Sequence, residues 1–120
     1  MIKILFVCHG NICRSPMAEG LMRAMSKGSI EASSAGIGAG FGDPASIHAV
    51  RILRRDGIDI SKHRSQPVSM PLIVHADAIF AMTPGHSNTL QLLYPEASHK
   101  MYLLRAETFG NKRADVRDPI

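Results

Sequence analysis

The 120-residue sequence contains no tryptophan, few aromatic residues and only two cysteines, and each shortage excludes a class of protein. With aromatic residues at 5% and hydrophobic residues at 45%, the core has to be built from aliphatic side chains. The two cysteines, Cys8 and Cys13, are too close in sequence for a disulfide to restrain the chain appreciably. This argues against a secreted, disulfide-built fold and predicts a cytoplasmic protein with reduced thiols. No apolar run reaches about 18 residues, so no membrane-spanning helix and no membrane partner are expected.

The length and charge of the chain narrow the class further. A chain of 120 residues has room for one domain, which is expected to span residues 1–120. The net charge of +4 and the pI of about 9.4 favour an anionic partner. Basic residues are not interleaved with aromatic ones as in nucleic-acid-binding proteins, so no nucleic-acid partner is expected.

Apolar runs of strand length alternate with segments of helical periodicity. Strands are predicted at 2–7, 29–34, 78–82 and 100–104, helices at 15–28, 43–57 and 84–93, and a short helical turn at 72–75. Ser15 and Asp43, each followed by proline, are the predicted N-caps of the first two helices. The alternation predicts an α/β fold, a doubly wound four-stranded parallel sheet with helices on both faces.

One segment between the first predicted strand and the first predicted helix carries most of the chemistry. It reads Cys8-His9-Gly10-Asn11-Ile12-Cys13-Arg14-Ser15. Parallel sheets bind ligands at this end of their strands, and such a loop can turn its N–H groups inward around an anion at a helix N-terminus. Gly10 is expected to adopt a backbone conformation closed to other residues, and Arg14 to bind two phosphate oxygens. Residues 8–14 are therefore a predicted phosphate loop.

Cys8 is expected to lie at the base of this phosphate loop. The loop N–H groups, the helix dipole and Arg14 all favour a thiolate there, and the Ser15 hydroxyl is placed to hydrogen-bond the sulfur. A thiolate in an anion-binding loop is suited to nucleophilic attack on phosphorus. Taken alone, Cys8 is equally well explained as a buried structural cysteine. No second Cys or His cluster completes a metal site, and the loop lacks the Gly-Lys-Ser/Thr ending of a nucleotide-binding loop, so no metal or cofactor is expected.

The stretch 7–19 resembles the signature of the low-molecular-weight protein-tyrosine phosphatases, C-x5-R-S-P followed by a helix. Further similarity to the family lies at 33–36, 57–61, 63–65 and 77–82, and in the Asp-Pro motif of 115–119. The resemblance implies a metal-free enzyme that hydrolyses phosphotyrosine in phosphorylated proteins through a phosphocysteine on Cys8. It also implies that the loop holds a phosphate or sulfate anion.

The resemblance further implies roles for individual residues. The residues expected to bind substrate are His9, Gly10, Asn11, Ile12, Cys13 and Arg14. Ser15 is expected to ease departure of the sulfur. Asn11 is expected to brace the loop through a bond to Ser34, although turn chemistry alone also explains both residues. Cys13 is either a reversible disulfide partner that protects Cys8 or a small packing residue.

The general acid has two candidates by sequence pattern, because Asp43 and Asp118 both precede proline. Asp43 leads into a helical pattern, which favours an N-cap. The resemblance selects Asp118, with Asp115 as a weaker substitute. Family members carry an aromatic residue after this Asp-Pro and then a final helix, whereas Ile120 ends this sequence. We therefore expect a single phosphatase domain lacking that helix, as a truncated or degenerate copy.

Two other functions stay open at this stage. A protein arginine phosphatase would share the fold and the nucleophile, and residues 81–86 resemble bacterial members near that branch. An inactive phosphoprotein-binding module would keep the loop without turnover. Ile12 favours phosphotyrosine over phosphoarginine, because a branched hydrocarbon suits an aromatic ring and leaves guanidinium donors unpaired. An arsenate reductase would need further cysteines, and none follows Cys13.

Overall fold

The computed structural model describes residues 1–104 and shows four strands and four α-helices within them. The strands are β1 (Ile2–Cys8), β2 (Ile30–Gly36), β3 (Ala78–Ala81) and β4 (Met101–Leu103), and the helices are α1 (Arg14–Ser26), α2 (Ile47–Arg54), α3 (Met70–His75) and α4 (Pro84–Leu93). A 3₁₀ helix that the sequence did not predict, Pro95–Lys100, precedes β4. Within these residues no helix has both the length and the hydropathy needed to span a membrane.

The four strands form one sheet in the order β2-β1-β3-β4, and every neighbouring pair is parallel. Val7 near the end of β1 pairs with Ala35 of β2 on one side and with Ala81 of β3 on the other. The predicted four-stranded parallel sheet is therefore confirmed. Because the chain leaves β1 toward β2 and later returns on the opposite side, the crevice typical of doubly wound sheets opens beyond the end of β1.

Alternate side chains of β1 bury themselves in two different cores. Leu5 and Val7 pack with Ile73 of α3 and Leu90 of α4 on one face of the sheet. On the other face, Ile4, Phe6 and Cys8 pack with Ala18 of α1. The strand is apolar throughout because both of its faces are covered, as in other parallel sheets. Helices therefore lie on both faces, as predicted.

The helix α1 begins at Arg14, which corrects one prediction from the sequence. Ser15 lies within the first turn and is fully buried, so it is not the N-cap. Its hydroxyl is engaged with Cys8 instead of capping the helix. The tertiary contact therefore outcompetes the local capping pattern, and it brings the helix start directly against the end of β1.

The helix α2 also begins differently from the prediction. Its N-cap is Ser46, whose Oγ accepts a hydrogen bond from the N–H of Ala49 at 3.1 Å. Asp43 belongs instead to the preceding loop, where its N–H donates to Ser65 Oγ at 3.0 Å and its carbonyl accepts from Ser65 N–H at 2.7 Å. The loop before α2 is thereby fixed to a segment that lies far along the chain.

Candidate active site

The carbonyl groups of the phosphate loop point outward to neighbouring backbone. Three of them accept hydrogen bonds from the segment 37–46, which follows β2. The pairs are Cys8 with Ile37 (2.9 Å), His9 with Gly38 (2.9 Å) and Ile12 with Ser46 (2.6 Å). In a planar trans peptide the C=O and N–H groups point in opposite directions, so the N–H groups of these units are directed into the loop. Such a row of inward N–H groups is what an anion-binding loop requires.

The sulfur of Cys8 lies at the end of β1 among hydrogen-bond donors. The residue is only 4% exposed. Its Sγ accepts the backbone N–H of Asn11 at 3.2 Å and lies 2.8 Å from Ser15 Oγ. Donors directed at the sulfur stabilise negative charge on it, which is the form that acts as a nucleophile.

A chain of hydrogen bonds fixes which group faces the sulfur. The N–H of Gln66 donates to Asn11 Oδ1 at 2.9 Å, so the other side-chain atom of Asn11 is its amide nitrogen, which donates to Ser15 Oγ at 2.9 Å. When Cys8 is a thiolate, the Ser15 hydroxyl donates to its Sγ, because a thiolate has no proton to give. Asn11 is fully buried and has a φ of 56°, a left-handed conformation that asparagine tolerates better than most residues.

This finding corrects the expectation that Gly10 supplies the unusual backbone conformation. Gly10 does not have a positive φ, and the residue of the loop in the left-handed conformation is Asn11. The glycine that the loop does require is Gly36 at the end of β2. A Cβ there would lie 2.5 Å from the carbonyl oxygen of His9 and 2.9 Å from the amide nitrogen of Asn11. The close approach of β2 to the phosphate loop therefore depends on Gly36.

The predicted bond between Asn11 and Ser34 is replaced by an indirect connection. Ser34 Oγ donates to Glu19 Oε1 at 2.5 Å, while the Ser34 carbonyl accepts from the side-chain amide of Gln66 at 3.0 Å. Gln66 therefore links the two residues, since it also bonds Asn11. Ser34 lies in β2, so the link ties the phosphate loop to the sheet.

The sequence reasoning missed His63 as well as Gln66. Its Nε2 lies 2.7 Å from the backbone carbonyl of Asn11. A carbonyl only accepts, so Nε2 carries the proton and His63 is the donor. His63 and Gln66 also line a polar groove of about 580 Å³ between α1 and residues 57–66. The only sign of them in the sequence was the stretch 63–65, which resembles the family: it contains His63, and Gln66 directly follows it.

The remaining predicted residues fall into two groups. Arg14 and Ile12 are half-buried, and Cys13 is buried, as is Cys8. Asp118, and its weaker substitute Asp115, lie outside the described residues. Within residues 1–104, no three His, Cys, Asp or Glu side chains form a group that could hold a metal ion.

The chain has clear relatives among known proteins. Residues 3–120 match the family described as low molecular weight phosphotyrosine protein phosphatase. The chain is 42% identical over 121 residues to the probable low molecular weight protein-tyrosine-phosphatase EpsP of Ralstonia solanacearum, an alignment that covers 99% of this chain and 79% of that protein.

Two solved structures show the same fold. The YwlE arginine phosphatase from Geobacillus stearothermophilus has a TM-score of 0.89 and 38% identity, covering 100% of this chain and 77% of that one. Vibrio vulnificus Wzb in complex with benzylphosphonate has a TM-score of 0.86 and 34% identity, covering 98% of this chain and 81% of that one. The chain therefore belongs to the low molecular weight protein-tyrosine phosphatase family.

Proposed function

We propose that this chain hydrolyses phosphotyrosine in proteins through a phosphocysteine intermediate on Cys8, with no metal or other cofactor. The observation that carries the proposal is the setting of the sulfur, which lies 2.8 Å from Ser15 Oγ and accepts the N–H of Asn11 at 3.2 Å. A buried packing cysteine has no need of two donors directed at its sulfur. A thiolate held at the base of an anion-binding loop attacks phosphorus in line with the leaving oxygen.

The loop supplies the positive charge that phosphoryl transfer needs. The inward N–H groups and the guanidinium of Arg14, the first residue of α1, hold the three non-bridging oxygens of the transferred group. The N-terminus of α1 adds its dipole at the same place. Because these groups are already in position, charge that develops in the transition state meets donors that need no rearrangement.

The two chemical steps need one acid–base group and one group that stabilises the sulfur. Asp118 protonates the tyrosine oxygen as the S–P bond forms and the P–O bond breaks. It then takes a proton from the water that attacks the phosphocysteine. In this second step the P–S bond breaks, and Ser15 donates its hydrogen bond to the departing thiolate. Phosphate leaves, and Cys8 returns to its starting form.

Phosphorylated proteins are the proposed substrates, with phosphate or sulfate binding in the loop as product or inhibitor. The similarity to Vibrio vulnificus Wzb supports this, because that protein is described in complex with benzylphosphonate. A benzyl ring that carries a phosphonate has the shape of the end of a phosphotyrosine. Cys8 and Cys13 do not form a disulfide, which suits a reducing compartment, so we place the working enzyme in the cytoplasm.

Arginine phosphatase activity is the second candidate function, since the likeness to the Geobacillus YwlE structure favours it. We place it second because of Ile12, which is half-buried in the middle of the phosphate loop. Its hydrocarbon side chain gains contact with an aromatic ring and offers no acceptor to a guanidinium.

The test is trapping of the intermediate. The protein is mixed with p-nitrophenyl phosphate, quenched with acid within milliseconds and digested, and the peptide containing Cys8 is examined by mass spectrometry. Phosphate on Cys8 together with steady release of p-nitrophenol supports the proposal. Cys8→Ser is the control and should show neither. Binding of p-nitrophenyl phosphate without turnover would leave the inactive binding module as the function.

A further inference from the structure

Two histidines stack at the edge of the phosphate loop, and the mechanism above does not use their side chains. His9 directly follows Cys8, and its ring centroid lies 6.5 Å from that of His86, with the two planes 19° apart. His86 lies in the first turn of α4, where its N–H donates to Thr83 Oγ1 at 3.2 Å. The pair therefore joins the loop to a helix on the opposite side of β1 from α1.

His9 is held in place although it is exposed to solvent. Its carbonyl accepts the N–H of Gly38 at 2.9 Å. Its ring lies so close to Gly38 that a Cβ there would be 2.6 Å from Cε1 and 2.8 Å from Nε2. With His86 on one side and Gly38 on another, the imidazole has a defined position beside the nucleophile, while part of it still faces solvent.

We propose that the His9 side chain binds a carboxylate of a residue next to the phosphotyrosine, and that His86 is a positioning residue for His9. This inference rests on the proposed function, because it concerns the peptide to which the phosphate is attached. A substrate phosphate bound in the loop brings the flanking residues of the peptide past the exposed neighbour of Cys8. The enzyme would then prefer acidic phosphopeptides.

The chemistry of the pair favours an anion over a neutral or basic flank. Imidazole donates an N–H in its neutral form and two in its charged form. The first turns of α1 and of α4 contain no acidic residue that would repel a carboxylate. The net charge of +4 acts in the same direction.

The first experiment compares kcat/KM for two phosphotyrosine peptides that differ only in having Glu or Gln on both sides of the phosphotyrosine. An exposed charged pair is worth up to about 1 kcal/mol, so we expect a roughly two- to fivefold preference for the Glu peptide. The preference should fall as NaCl is raised, because salt screens exposed charges. His9→Gln should bring the ratio to about one. If His9→Gln had the same ratio of kcat/KM for the Glu and Gln peptides as the unmodified protein, the proposal would be overturned.

Two variants of His86 separate positioning from charge. His86→Phe keeps a ring for His9 to stack on, so the preference for the Glu peptide should persist. His86→Ala removes the ring, so the preference should weaken. Neither variant should change the hydrolysis of p-nitrophenyl phosphate, which has no flanking residues. Loss of the preference in His86→Phe to the same extent as in His86→Ala would show that the positioning role is wrong.

A binding measurement keeps the inference testable if turnover fails. In the Cys8→Ser background the two peptides are titrated by fluorescence anisotropy, with and without His9→Gln. Tighter binding of the Glu peptide that disappears in His9→Gln supports the inference whether or not the chain is an active enzyme. Equal affinities of Cys8→Ser for the two peptides would overturn the inference. Hydrolysis of p-nitrophenyl phosphate by the unmodified protein would still support the proposed function.

Discussion

The hydroxyl of Ser15 lies 2.8 Å from the sulfur of Cys8 while its oxygen accepts the side-chain amide of Asn11 at 2.9 Å. Because the amide N–H only donates and a thiolate only accepts, the hydroxyl proton is directed at the sulfur when Cys8 is ionised. The relationship is fixed from outside the loop, since the N–H of Gln66 holds the amide in this orientation. In the proposed mechanism, Ser15 is thus a donor already in place for the sulfur that departs in the second chemical step.

Ser15→Ala should slow breakdown of the phosphocysteine more than its formation. A hydrogen bond to a charged group is worth about 1.5–3 kcal/mol, which corresponds to roughly a 10- to 150-fold slower second step. Rapid-quench kinetics should then show a burst of p-nitrophenol and accumulation of phosphorylated Cys8. Equal slowing of the two steps would show that Ser15 does not act on the departing sulfur.

Cys8→Ser should abolish turnover while the fold and phosphate binding remain. In the proposed mechanism, the loop N–H groups and Arg14 bind the anion, and the sulfur is not among these donors. The thermal midpoint of unfolding of the variant should therefore still rise when phosphate is added, since a ligand that binds the folded state stabilises it. Full activity in Cys8→Ser would disprove the nucleophilic mechanism.

Gly36→Ala should destabilise the protein and impair catalysis together. The new methyl group would lie 2.5 Å from the carbonyl oxygen of His9, which is backbone and cannot rotate away. Overpacking of this kind costs about 1–3 kcal/mol, and here the strain falls on the phosphate loop. Urea unfolding and kcat on p-nitrophenyl phosphate measure the two effects.

Gly40→Ala is the matched control for Gly36→Ala. It adds the same methyl group only four residues further along the chain, where nothing lies within 4 Å of the new Cβ. Its stability and kcat should be close to those of the unmodified protein. If the two variants behaved alike, the contact between Gly36 and the loop would not matter for activity.

The sequence predicts those elements whose determinants are local. Residues 84–93 were predicted as a helix and form α4 with the same limits, because Thr83 caps it and Pro84 suits its first turn. The predicted start of α2 was wrong because Asp43 and Ser46 are both residue types that cap helices, and the structure uses Ser46. Asp43 is bonded to Ser65 and Ser46 to Ile12, and these bonds depend on the tertiary fold.

The same distinction applies to the site. Cys8, Arg14 and Ser15 fall within one short segment that runs from the end of β1 into the first turn of α1, so their residue types and spacing were enough to predict one site. Gln66 and His63 reach Asn11 across 55 and 52 residues of sequence. Neither has a residue type that marks it in a sequence, because glutamine and histidine are common in polar loops. Their role became visible only when β2 and the segment after α2 were placed against the phosphate loop.

Asp118→Asn should slow hydrolysis by roughly 10²- to 10⁴-fold, the range for loss of a general acid. Asp118 lies outside the described residues, so its role stays a prediction from the family motif. The loss should be largest for phenyl phosphates with poor leaving groups and smallest for p-nitrophenyl phosphate, whose oxygen needs less protonation. A loss that is equal across the series would assign the acid role elsewhere, with Asp115→Asn as the next variant to measure.

Ile12→Thr should shift substrate preference from phosphotyrosine toward phosphoarginine. Ile12 is half-buried in the middle of the loop, and we place its side chain at the wall of the substrate pocket. Isoleucine gains contact with a flat apolar ring but leaves guanidinium donors unpaired, at a cost of about 1–3 kcal/mol. Threonine keeps the β-branched shape and adds a hydroxyl that accepts from the guanidinium.

The measurement for Ile12→Thr is kcat/KM on a phosphotyrosine peptide and a phosphoarginine peptide of the same sequence, for both proteins. The ratio should move toward phosphoarginine by about tenfold or more, which is about 1.4 kcal/mol. Ile12→Val is the control, because it keeps a branched hydrocarbon and should leave the preference for phosphotyrosine in place. If the unmodified protein already prefers phosphoarginine, Ile12 does not determine specificity, and arginine phosphatase becomes the first candidate function.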